Sequence, residues 1–236
     1  MVFARAVVRG SAVVAALALT SACLPGDGDG GGGGGEPEST AKGGQQLTEE
    51  QATSALPTKE QLPAELTVDE TEDSPRDPES TSYPATCRDV ELDGEEGRTL
   101  DTHVRAKTSQ NYSGDFGGVV SVTVVSHDTA VPGELFDAAG AAQSTCAEFT
   151  KIDKQGTTKW AIEPATLPPM GDRTYVVGLE MLSGDKMFVG GKVQLAGVSL
   201  GHNLVYIVYS AAPESQLSTQ VVEEMARTTV DNLEEL

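Results

Sequence analysis

The chain has 236 residues, with 36 acidic against 16 basic side chains, a formal charge of −20 and 38% hydrophobic content. A surface this acidic repels phosphate backbones and anionic headgroups, which excludes nucleic acid as a partner and electrostatic adhesion to a lipid surface. The apolar fraction still suffices for a packed core, so disorder along the whole length is excluded too.

The N-terminus carries the most specific signal. Arg5 and Arg9 form a positive n-region, Ala12 to Leu19 a short apolar run, and small residues precede Cys23. The run is about half the roughly 20 apolar residues that a bilayer crossing needs, so it predicts a cleaved leader and not a retained span. Thr20-Ser21-Ala22-Cys23 resembles a lipobox, with Thr20 where an aliphatic residue is usual. Residues 1–22 are therefore expected to be a lipoprotein signal peptide, and Cys23 the acylated residue that anchors the chain to the outer face of the cell membrane. The alternative is an ordinary secretory leader cut after Ala22, which leaves Cys23 as a free thiol. Either cut removes two arginines, leaving 14 bases against 36 acids, or −22.

Residues 23–46 include the unbroken glycine run Gly30 to Gly35 and read as a disordered tether. A Gly-rich coil of that length reaches about 25 Å. No Gly-Lys-Ser/Thr follows the run, so it is no phosphate loop. The remainder, 47–236, is expected to be one globular domain.

Thr48-Glu49-Glu50-Gln51 predicts a capping box that opens a short helix through Leu56, stopped by Pro57. Leu62 to Val68 reads as extended. Residues 69–82, with Asp69, Glu70, Glu72, Asp73, Asp77 and Glu79, read as an acidic mobile loop. Calcium is the sharp alternative for those acids, but no Asp-x-Asp-x-Asp-Gly loop is present.

Leu100, Thr102, Val104 and Ala106 alternate with polar residues and predict a half-buried strand that turns His103 to solvent. Val120, Val122 and Val124 predict a second strand, with His127 just past its end. Asn111-Tyr112-Ser113, a glycosylation sequon by pattern, reads as an exposed turn. Pro132 suits the first turn of a helix whose buried stripe is Leu135, Ala139, Ala142, Cys146 and Phe149. Trp160 and Ile162 share a face of a short strand. Tyr175 to Met181 and Met187 to Leu195 predict a hairpin turned at Gly184-Asp185. Leu204 to Tyr209 is apolar on both faces and belongs at the centre of the sheet. A closing helix buries Val222, Met225, Ala226, Thr229 and Leu233. The expected fold is α+β, a single antiparallel sheet of about five to six strands with two main helices, ordered β-β-α-β-β-β-β-α.

With Cys23 acylated, Cys87 and Cys146 remain as an even pair in an oxidising compartment, where disulfides persist. A bond between them is expected; two buried free thiols are the alternative. No CxxC or HxxxH spacing occurs, so no metal or other cofactor is expected.

Leu47 to Leu56 followed by Leu62-Pro63, Cys87 ahead of the first sheet strand, Cys146 in the middle helix and the terminal amphipathic helix together resemble an extracytoplasmic sensor-like domain. That domain is known from a mycobacterial serine/threonine kinase and shared by actinobacterial lipoproteins. The resemblance covers roughly residues 47–236. It implies a helix-backed antiparallel sheet with a groove for a small or envelope-derived ligand, and transfers no ligand residue. Members usually carry a second disulfide, which this chain cannot form.

The expected function is a non-enzymatic binding or sensing lipoprotein, monomeric, whose partners are the membrane through Cys23 and a small or envelope-derived ligand. The alternatives are an envelope lipid carrier and an interaction scaffold with no small ligand. Catalysis would have to draw on His103, His127 or His202 as general base, and none stands in a Gly-x-Ser-x-Gly or comparable setting.

Overall fold

The computed structural model describes residues 43–71, 79–114, 117–213, 215 and 218–236. The expected leader, Cys23 and the expected tether as far as residue 42 lie outside the described residues, as do 72–78 of the segment read as an acidic loop.

Helix α1, Glu49–Ser54, starts at the expected capping box. Thr48 Oγ1 accepts from the Gln51 N–H at 3.3 Å, and Gln51 Oε1 accepts from the Thr48 N–H at 2.9 Å. Strands β1 (Leu66–Asp69) and β2 (Thr81–Tyr83) are short; a 3-10 helix, Ala85–Glu91, and helix α2, Glu95–Asp101, follow. Then come β3 (Val104–Gly114), β4 (Gly118–His127), α3 (Gly133–Thr145), β5 (Glu148–Asp153), β6 (Gly156–Glu163) and β7 (Arg173–Ser183). Strands β8 (Lys192–Leu200) and β9 (Asn203–Ala211) and the closing helix α4 (Thr219–Glu235) complete the chain.

Among the described residues the strands form one antiparallel sheet in the order β1-β3-β4-β9-β8-β7-β6-β5-β2. Its two faces pack two separate cores. On one, α1 and α4 cover β3, β4, β8 and β9, and Val205, Ile207 and Tyr209 join Met225, Ala226 and Leu233. On the other, α3 and the 3-10 helix meet Leu204, Leu195, Tyr175 and Val177. Strand β9 thus contributes to both cores, as its two apolar faces require. The Cys87–Cys146 disulfide ties the 3-10 helix to the end of α3, with a Cα–Cα distance of 5.8 Å. Among the described residues no helix is long and apolar enough to cross a membrane.

Several expectations are corrected. The sheet has nine strands, not five to six, because β1 and β2 are too short and too polar to show alternation, and β5 follows α3 too closely to be separated from it. Phe149 continues the helical spacing, yet the backbone leaves the helix at Cys146 (φ −103°, ψ 71°), and Phe149 fills the same core from β5. Leu100 closes α2 instead of opening a strand; Glu95 and Glu96 in its first turn complement the helix dipole. The hairpin between β7 and β8 pairs as expected, but Met187 and Val189 sit in its connection, with Met187 73% exposed. His127 is the buried last residue of β4 and not a residue past its end. Asn111 and Tyr112 are buried within β3, so the sequon is no exposed turn. Domain contacts begin before Leu47: Asn203 Nδ2 donates to the Gly43 and Gln45 carbonyls at 2.9 and 2.8 Å, and the His202 N–H to Gly44 at 2.9 Å. The folded part of the chain therefore reaches back at least to Gly43, ahead of the expected start at residue 47.

Candidate ligand-binding cleft

On the face covered by α1 and α4, cross-strand register sets Glu163, Gly178, Gln194 and Tyr209 in one row across β6, β7, β8 and β9. Along this row Glu163, Pro164, Ala165, Gly178, Lys192, Gln194, Ser215 and Thr219 line a cleft of about 310 Å³. That volume suits a small ligand, at the lower end of the usual range for such sites.

Each wall has a local cause. Gly178 leaves the floor open: a Cβ there would meet the Glu163 Cβ and carbonyl oxygen, both at 3.1 Å. Ala165 packs against the core and keeps one wall apolar. Lys192 Nζ donates to both carboxylate oxygens of Glu163 at 3.0 Å, with Glu180 3.9 Å away. The hydrogen bond to Glu163 holds the Lys192 ammonium above its ordinary pKa, so the lysine stays charged. Thr219 brings the start of α4 to the opposite wall. The Ser218 N–H donates to the Tyr209 hydroxyl, while the Ser218 side chain makes no capping bond to the helix.

Gln194 is the exceptional residue. It is 2% exposed, and its Nε2 has no hydrogen-bond partner. A buried amide donor left unpaired costs stability, and native folds keep few of them. Its side chain lines the cleft, while the Nε2 atom itself is sealed from the open volume.

A larger depression, about 730 Å³, lies between the 3-10 helix, α2 and β2. Its most buried charge is already engaged: Arg88 Nε donates to the Asp93 carbonyl and carboxylate at 2.7 and 2.8 Å, and Arg88 also donates to the Ser80 carbonyl. Burial and the neighbouring Glu95 raise the pKa of Asp89 there.

The three histidines gather at the other end of the sheet. His127 and His202 each donate Nδ1–H to the other's carbonyl at 3.1 Å, and His103 Nδ1 lies 2.7 Å from Asp128 Oδ1, which also takes Arg105. His103 is half-exposed, so its expected orientation to solvent holds in part. Burial lowers the pKa of His127 and keeps it neutral. At about 3.3 Å per residue along β8, this group lies roughly 20 Å from Gln194, so no imidazole reaches the cleft. Reasoning from the sequence singled out no residue of the cleft, although one signal was available. Gln194 shares the inward face of β8 with Ala196 and Val198, where a polar side chain is out of place.

No protein-family model and no curated protein matches this sequence. Among solved structures, the extracellular domain of PknH from Mycobacterium tuberculosis matches with a TM-score of 0.58 at 16% identity, covering 82% of this chain and 100% of that chain. The two share a fold. The likeness to a sensor domain expected from the sequence is thus borne out at the level of fold. An uncharacterised Mycobacterium smegmatis protein, an Rv0999 ortholog, matches with a TM-score of 0.43 at 13% identity, over 84% of this chain and 98% of that chain.

Proposed function

We propose that the chain is an extracytoplasmic lipoprotein, anchored through acylated Cys23, whose domain binds a small ligand without transforming it. The observation that carries the reading is the cleft of about 310 Å³ beside α4, open where Gly178 lacks a side chain and lined by Glu163, Lys192, Gln194 and Thr219. The fold shared with the extracellular domain of a kinase and the Cys87–Cys146 disulfide, a bond suited to an oxidising compartment, favour a position outside the cytoplasm. The distance of the three histidines from the cleft favours binding over catalysis. Its small volume and polar floor favour a compact ligand over a whole lipid, and so a sensor over a carrier.

Thermal-shift screening of the full chain against soluble cell-envelope fragments tests the binding. A ligand bound only by the native state raises Tm with its concentration, whereas a screen without any such rise overturns the reading. Intact-mass measurement of protein extracted from membranes tests the anchor: acylated Cys23 at the N-terminus is expected, and an unmodified Cys23 refutes it.

A further inference from the structure

We propose that the turn between β7 and β8 is a second membrane contact, an apolar tip that dips into the zwitterionic lipid surface to which Cys23 anchors the chain. The inference rests on that anchor and adds a site that the ligand-binding reading does not use. Met187, Phe188 and Val189 are consecutive in this turn and 73%, 54% and 38% exposed, and Leu182, near the end of β7, is 36% exposed. The turn is braced from within. Asp185 accepts from the Met187 N–H through its carboxylate at 3.0 Å and from the Phe188 N–H through its carbonyl at 2.9 Å. The Gly190 and Gly191 N–H groups donate to the Met181 and Phe188 carbonyls, both at 2.8 Å. The backbone thus holds the apolar side chains outward with little ordering left to do on contact. These four donors are already paired, as entry into hydrocarbon requires.

Area, charge and chain length favour lipid over a protein partner. Four side chains at a hairpin tip present about a few hundred Å², short of the roughly 800 Å² per partner of a stable protein interface. The chain is strongly acidic, yet residues 181–191 carry only Asp185 and Lys186, which cancel, so apolar burial there meets little repulsion. At the base of the hairpin Lys192 stands between Glu163 and Glu180, which leaves a net negative charge and favours a zwitterionic over an anionic surface. Gly43 is held by Asn203 at the far end of β8 and β9. Strand β8 runs from Leu200 there to Lys192 beside the turn, and at about 3.3 Å per residue the turn lies roughly 30 Å from that end. The chain from Cys23 to Gly43 extends to about 70 Å, so an anchored domain has the reach to set this end of the sheet on the lipid.

The test reconstitutes the full chain carrying Phe188→Trp, a change at an exposed position, into phosphatidylcholine vesicles with brominated acyl chains, which quench an indole only at close range. Emission should fall about twofold against unbrominated vesicles, beyond any loss in the wild-type chain, whose one tryptophan is Trp160 in β6. Adding Met187→Asp should restore the emission and leave Tm unchanged, because that side chain is exposed. Hydrogen exchange of the wild-type chain gives a measure free of substitution: amides 185–190 should slow on vesicles while those of α4 stay unchanged. Emission or exchange that ignores the lipid, or quenching indifferent to Met187→Asp, overturns the contact. Protection that persists without lipid and tracks a dimer in sedimentation overturns it too, and assigns the tip to a second copy of the chain. An unquenched indole on an acylated chain removes the hairpin contact alone, an unmodified Cys23 removes anchor and contact together, and the thermal screen bears only on the cleft.

Discussion

Replacing Gln194 by Met removes a buried amide and leaves a side chain of similar length and volume on the inward face of β8. In the wild-type protein Gln194 is 2% exposed and its Nε2 has no hydrogen-bond partner, so the amide bears a desolvation penalty of about 1–3 kcal/mol. Methionine carries no such penalty and fills irregular space well. Allowing for contacts made by the lost carbonyl end, the gain should be about 1–2 kcal/mol. For a domain of this size each kcal/mol moves Tm by about 2–4 °C, so a rise of about 2–8 °C is expected. Urea unfolding followed by fluorescence gives the complementary measure: the midpoint should rise with an unchanged m-value. A fall in Tm of similar size would show that the amide has a native partner and would refute the reasoning.

Other perturbations address the rest of the molecule. Replacing Cys87 and Cys146 by Ala opens a loop spanning a separation of 59 residues, and on the chain-entropy account should cost about 4 kcal/mol; an unchanged urea midpoint would contradict this. Burial lowers the pKa of His127 below its ordinary 6.5, so on acidification the unfolded chain takes up this proton first, and its contribution to stability is lost as pH falls below about 6.5. In His127→Asn, which keeps a donor at the δ position, the decline of Tm between about pH 7 and pH 5 should flatten; an unchanged slope would assign the decline to other groups. Gly43 has φ +75°, and a Cβ there would lie 2.5 Å from the Leu233 carbonyl oxygen. Gly43→Ala should therefore cost about 1–3 kcal/mol, and a neutral result would mean that the domain does not depend on this contact.

Much of the fold was legible because periodicity reports burial. The Val120, Val122 and Val124 alternation, the two-faced apolar run of β9, the capping box at Thr48 and the stripe of α4 each follow from a physical pattern that tertiary structure preserved. What escaped did so for equally physical reasons. Strand β2 has three residues and lies at an edge, so it carries no period. Phe149 satisfies helical spacing by coincidence, because a strand that turns back after Cys146 reaches the same core. The cleft was invisible for a different reason. It depends on register, which brings Glu163, Gly178 and Gln194 side by side from three strands, and no local pattern encodes that neighbourhood.

A crystal of the full chain soaked with an envelope fragment that raises Tm would address the cleft directly. The expected result is ligand density beside Gly178 and Lys192, next to the first turn of α4. An empty cleft, with the fragment bound elsewhere, would contradict it.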